Sequence, residues 1–237
     1  MAKSQNTSPG DLRGGADLWL LANHDFRQPA QTLAFLADQL AISTNKSERQ
    51  ALGASIALMG FSLDAMIDGM TLVARFDSKR QRAAAIRTTL SAVLGSLVDE
   101  MTSVATERGR RLDVAGLDLV IDADPDLLCA LTKGLVIYAI KFSDGGDIVV
   151  RGRSRRVDVA LDVSYSGPDP DRALREKAFV ELPPVRSVPT VPVIGFGPAL
   201  VARLAQHAEI VVEPGFDDHD RRRLSLLIPK AKKKARG

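Results

Sequence analysis

Cysteine is nearly absent from this chain: Cys129 stands alone among 237 residues. A disulfide framework within the chain is therefore excluded, and a reducing, cytoplasmic compartment is the expected setting. Cys129 falls in an apolar run and reads as a buried, inert thiol. Three histidines and that one cysteine are too few for a dedicated zinc site, so no metal site is expected. No run of 18 uncharged apolar residues occurs, so no membrane span is expected. The opening segment MAKSQNTSPGDLRGG is polar and lacks the apolar core of a signal peptide.

What the chain does have is enough apolar material, 45% of its residues, to build one large domain or two small ones. Its net charge of +3 is unevenly placed. Five of the 32 basic residues lie between Lys230 and Arg236, and without them 27 basic residues face 29 acidic ones. The basic balance thus describes a solvated tail, residues 230–237, and nucleic acid is not an expected partner.

Residues 1–15 read as a disordered start. From Asp17 to Ile42 the apolar residues Trp19, Ala22, Phe26, Pro29, Leu33, Leu36 and Leu40 are spaced three and four apart, the seam of a packed helix. His24 falls opposite that seam, with Gln28 and Gln31 one and two turns further on the same side. A polar cluster, residues 43–47, ends the helix, and Ser47 with Gln50 forms a possible capping box for the next. That second helix carries the seam Leu52, Ile56, Met59, Leu63, Met66, Met70 and Val73. The pair makes an antiparallel hairpin over residues 16–78. It cannot bury such seams alone, and two copies pairing as a four-helix bundle would do so. Leu58, Phe61, Ile67 and Leu72 lie off the seam, as part of a broader buried face or as a docking patch for a partner.

Beyond a basic linker, residues 78–87, helix and strand patterns mix. Thr88 to Arg108 reads as an amphipathic helix, Arg111–Val114 and Leu117–Ile121 as short strands, and Pro125 to Ile140 as a helix. Asp147–Arg153 and Arg156–Ser164 read as a hairpin, Pro198 to Ala208 as a helix, and Glu209–Glu213 and Leu224–Ile228 as closing strands. Helices beside an antiparallel sheet make an α+β sandwich. His207 and His219 carry no pattern and read as surface or loop residues. Asp217-Asp218-His219-Asp220 reads as a hydrophilic hairpin tip.

The run His24-Asp25-Phe26-Arg27-Gln28-Pro29 resembles the phosphoacceptor box of two-component histidine kinases: His, acid, any residue, basic, polar, Pro. The chemistry suits the residues, because a neutral imidazole nitrogen is a nucleophile for phosphoryl groups. The resemblance implies that His24 is phosphorylated and that Asp25 orients its ring. It also implies homodimerisation through residues 16–78. The layout of residues 79–229 is similar to the ATP-binding α+β domain that follows the hairpin in that family.

The chemistry of that second region departs from the family. Gly134 and Tyr138 stand where the helix would carry two asparagines, the second holding Mg²⁺. Tyr165-Ser166-Gly167 stands where the adenine-binding aspartate and its glycine would be, and a tyrosine there would fill the base pocket. Gly195-Phe196-Gly197 keeps the shape of a phosphate-cradling turn, and equally that of a sharp turn before a helix. The segment between carries Pro183, Pro184, Pro189 and Pro192, which suits a stiff connection better than a closing lid.

Three functions follow as expectations. The first is a histidine phosphotransferase, relaying phosphoryl groups between His24 and receiver aspartates without ATP. Its cofactor Mg²⁺ would sit on the receiver and none on this chain. The second is an ATP-dependent histidine kinase with a divergent site. The third is a non-enzymatic pseudokinase adaptor. Gln28 adds a further option, orienting a water that dephosphorylates a receiver.

Overall fold

The computed structural model describes residues 15–79, 84–167 and 198–230; the side chains of residues 15–25, 28, 79, 198, 199 and 202 lie outside that description. Two long helices open the chain, α1 (Gly15–Ile42) and α2 (Lys46–Lys79). The connection between them is closed from both sides. Asn45 Oδ1 accepts from the backbone N–H groups of Ser47, at 2.9 Å, and Glu48, at 3.2 Å. Arg49 Nη1 donates to the carbonyl oxygens of Leu40, at 2.7 Å, and Ser43, at 3.0 Å. The expected Ser47–Gln50 capping box is therefore replaced by an Asn45 cap, because the helix starts at Lys46 and the residue before it reaches the orphan donors.

The α/β unit comprises β1 (Ile86–Thr89), α3 (Leu90–Glu107), β2 (Arg111–Ala115), β3 (Val120–Ala123), α4 (Pro125–Phe142), β4 (Gly145–Ser154), β5 (Asp158–Ser166), α5 (Pro198–Ala208), β6 (Val211–Phe216) and β7 (Arg222–Pro229). Local chemistry sets the helix starts. Thr89 caps α3 by accepting from Ala92 N–H. Asp124 caps α4 by accepting from Asp126 and Leu127 N–H, and Pro125 follows at the first position, where its missing N–H costs nothing. Thr88 thus belongs to a strand, not to the helix expected from it.

Five strands form one sheet in the order β2-β4-β5-β7-β6, and β1 pairs with β3 apart from it. The sheet is mixed, where an antiparallel one was expected: β2 runs parallel to β4, and the other pairs are antiparallel. The reason is the crossover through β3 and α4, which returns the chain to the sheet in its original direction.

The central strand β5 is buried from Val159 to Tyr165. Val159, Leu161, Val163 and Tyr165 join the core shared with the helices. Asp162, on the alternate face, pairs with Arg153 and accepts from Ser225 Oγ at 2.6 Å, so its buried charge is matched. Helix α4 is buried almost all round, between the sheet and α2. Leu58, Met70, Val73 and Phe76 of α2 enter the same core, with Phe61 and Leu72 packed against it. The broader buried face thus holds at Leu58, Phe61 and Leu72, while Ile67 is exposed. By length and composition α2 would suffice to cross a membrane, which the count of uncharged runs had not suggested, but 44% of that apolar stretch is buried in this fold.

Two backbones cross closely where Gly116 and Gly152 meet. A Cβ on Gly152 would run into the Gly116 carbonyl and stand 2.9 Å from Leu90 Cδ1, whereas one on Gly95 of α3 would meet open space. Gly152→Ala is therefore expected to cost about 2–3 kcal/mol. Gly95→Ala should add about 0.5–1 kcal/mol. Urea denaturation midpoints at constant slope check both.

Candidate functional site

The expected site residues fall into two groups far apart in sequence. His24, Asp25, Arg27 and Gln28 lie in one uninterrupted helix, α1, which continues through Pro29. Arg27 and Gln31 are exposed, Phe26 is half-buried against the core, and Pro29 is buried. The side chains of His24, Asp25 and Gln28 are outside the described residues.

In the second group, Gly134 and Tyr138 come from α4, and Tyr165 and Gly167 from the end of β5. The fold brings Tyr138 and Tyr165 together and sets Gly167 against the end of α4. Tyr165 is 1% exposed. The Tyr138 ring stands edge-on to it at 6.1 Å and packs on Phe142 at 4.5 Å. Gly134 is buried in α4. A Cβ on Gly167 would strike the Phe142 carbonyl, so only glycine fits there. Arg222 Nε donates to Gly167 O at 3.0 Å, and Asp144 N–H to Ser166 O at 3.0 Å. The result is an aromatic wall beside one backbone hydrogen bond and one donated by the Arg222 side chain. Gly195, Gly197 and Pro183, Pro184, Pro189 and Pro192 lie outside the described residues. Among the described residues, no group of three His, Cys, Asp or Glu side chains is placed to hold a metal ion.

The contact between hairpin and α/β unit carries charge that the sequence did not reveal. Lys133 of α4 reaches Asp64 of α2 at 2.9 Å and Glu100 of α3 at 3.3 Å. Burial would lower its pKa, but the hydrogen bond to Asp64 and the charges of Glu100 and Asp64 outweigh it and hold the ammonium above its usual range. Asp77, near the end of α2, accepts from Arg203 Nη2 at 2.7 Å and lies 3.0 Å from His207 Nε2, while Phe76 packs on the His207 ring at 5.5 Å. His207 is thus an interface residue and not the surface or loop residue expected. The only local signal was the four-residue spacing of Arg203 and His207, which puts them on one helix face. His219 is exposed in the β6–β7 turn as expected. There Asp217 accepts from the N–H groups of His219 and Arg221 and from the Arg221 side chain. Burial would raise the Asp217 pKa, but these bonds hold it below the usual range. Cys129 is half-buried, and burial pushes its thiol up, so it stays protonated at neutral pH.

Burial acts in the opposite sense on Lys141 and lowers its ammonium to about 7. Between pH 7 and its unfolded value the unfolded chain binds the extra proton, so this group makes stability rise with pH, and its full cost is present below pH 7. Lys141→Met should therefore stabilise the fold by about 1–3 kcal/mol at pH 6, with the gain shrinking toward pH 9.5. Urea midpoints at both pH values measure it.

No protein-family model and no curated protein matches the sequence. Solved structures do match. Full-length ShkA in complex with AMPPNP is similar over 89% of this chain and 47% of its own, at 17% identity and TM-score 0.56. The Acinetobacter baumannii histidine kinase AdeS is similar over 88% of this chain and 98% of its own, at 12% identity and TM-score 0.53. The nucleotide-free catalytic domain of histidine kinase ThkA is similar over 62% of this chain and 95% of its own, at 17% identity and TM-score 0.51. The chain has their fold: a helical hairpin followed by an α/β domain with a mixed sheet.

Proposed function

We propose that this chain, built on the histidine kinase fold, is a histidine phosphotransferase of a two-component phosphorelay. The observation that carries the proposal is the buried Tyr165 against Tyr138 and Phe142. The resemblance puts an adenine-binding aspartate at position 165 and a Mg²⁺-binding asparagine at Tyr138, and aromatic rings offer neither a carboxylate nor an amide. A missing charged or metal contact in such a site is worth several kcal/mol, which argues against nucleotide-driven chemistry here.

In this reading the relay runs through His24. One imidazole nitrogen attacks the phosphorus of a receiver's aspartyl phosphate. The N–P bond forms as the P–O bond to the aspartate breaks, and the freed carboxylate stays with the receiver and its Mg²⁺. Asp25 holds the other ring nitrogen as N–H and supports the positive charge that develops. Transfer to a second receiver reverses these steps. Arg27 and Gln28 would line the receiver's approach. A second copy of the chain completes the hairpin: Leu33, Leu36 and Leu40 are only half-buried, and Phe35 and Ile42 are exposed. A phosphorelay of this kind would work in the cytoplasm.

The second reading, an ATP-dependent kinase, draws on Gly195-Phe196-Gly197 and on the AMPPNP in ShkA, a molecule of the same fold. Labelling separates the two. A ³²P-phosphorylated receiver should label the protein, and His24→Gln should lose that label by a factor of at least 100. ATP with Mg²⁺ and no receiver should give no label. Label from ATP on His24 would establish the kinase reading instead.

A further inference from the structure

Beside the C-terminal end of α4, a cleft of about 330 Å³ opens between the hairpin and the α/β unit. Ala51 and Ala54 of α2 form one wall, Arg108 and Arg110 after α3 a second, and Lys141 near the end of α4 a third. Its size falls at the lower end of small-molecule sites. We propose that this cleft binds a small phosphorylated molecule, gripped by Arg108, Arg110 and Lys141 through its phosphate.

The partners of the two arginines support this. Arg108 Nη1 donates to Ser55 Oγ at 2.6 Å, and Arg110 Nη2 to the Ser143 carbonyl at 2.9 Å. Both acceptors are neutral, and among the described residues neither guanidinium is paired with a carboxylate. Arg110 Nε is shut away from solvent with no acceptor, a rare and costly state for a charged donor. Burial, and then the charge of Arg110, lower the pKa of Arg108. Glu107 also lines the cleft, and the C-terminal ends of α3 and α4 face it, so part of the charge is offset. Among the described residues, the remaining guanidinium N–H groups of Arg108 and Arg110 have no carboxylate to meet, and phosphate oxygens suit such planar donors.

The site would also have a consequence for the whole molecule. One wall belongs to the hairpin and the other two to the α/β unit. A ligand that needs both favours the docked arrangement over any separated one. This proposal does not depend on phosphoryl transfer at His24.

The test is calorimetric titration of the full chain with inorganic phosphate and with pyrophosphate at fixed ionic strength. Amide NMR shifts at Ala51 and Ala54 would place the binding. Saturable binding is expected, with pyrophosphate the tighter. Arg108→Gln and Arg110→Gln should each weaken it at least tenfold, while Arg151→Gln, an exposed arginine on β4, leaves it unchanged. Should Arg110→Gln fail to fold, Lys141→Met serves, since it is expected to be more stable and still to bind at least fivefold more weakly. Binding weaker than about 10 mM, or binding equal in wild type and cleft variants, would overturn the proposal.

Discussion

Helix α4 has no side that can face water, and most of the architecture answers that constraint. Twelve of its residues are buried, from Leu127 to Ile140. A helix apolar all round must be covered on every face. The sheet covers one, α3 and α5 flank it, and α2 of the hairpin closes the last. The hairpin is therefore part of the α/β core as well as a helical pair. Lys133 marks the seam, because its ammonium can be buried only where Asp64 and Glu100 come to it from two other helices.

That same crowding decides what the far face of α4 can do. With Tyr138, Phe142 and Tyr165 in mutual contact and Gly167 pressed on the Phe142 carbonyl, the region is packed like a core. Neither aromatic ring brings a negative charge or an amide oxygen. The proposed phosphotransfer rests on this contrast: a hairpin whose His24 run resembles a phosphoacceptor box, joined to a domain whose residues at Tyr138 and Tyr165 serve packing. The polar contacts at Asp77, with Arg203 and His207, tie the other end of α2 to α5 and make the union firmer.

Much of the fold was legible because it is written in short-range spacing. The three-and-four steps of α1 and α2 and the alternation in β5 are local, and so is the Asp124-Pro125 start of α4. Helix α5 matched its expected bounds, Pro198 to Ala208. The run from His24 to Pro29 that carries the family resemblance is local in the same way, being six consecutive residues. The misjudged points had two competing local answers or none. Ser47 and Asn45 could both cap α2, and only the position of the first helical turn chose between them. The strand Ile86–Thr89 is four residues long and half-exposed, and it exists because β3 lies beside it.

The amino-acid order by itself determined the hairpin, the succession of helices and strands, and the aromatic character of positions 138 and 165, since each depends on residue type and on neighbours a few positions away. The tertiary structure alone decided the parallel pairing of β2 with β4 and the docking of α2 on α4. It also decided the union of Asp77 with His207 and the gathering of Arg108, Arg110 and Lys141 around one cleft. These depend on the meeting of segments separated by 30 to 130 residues. No local periodicity encodes such a meeting; it emerges when apolar faces find the one arrangement that hides them all.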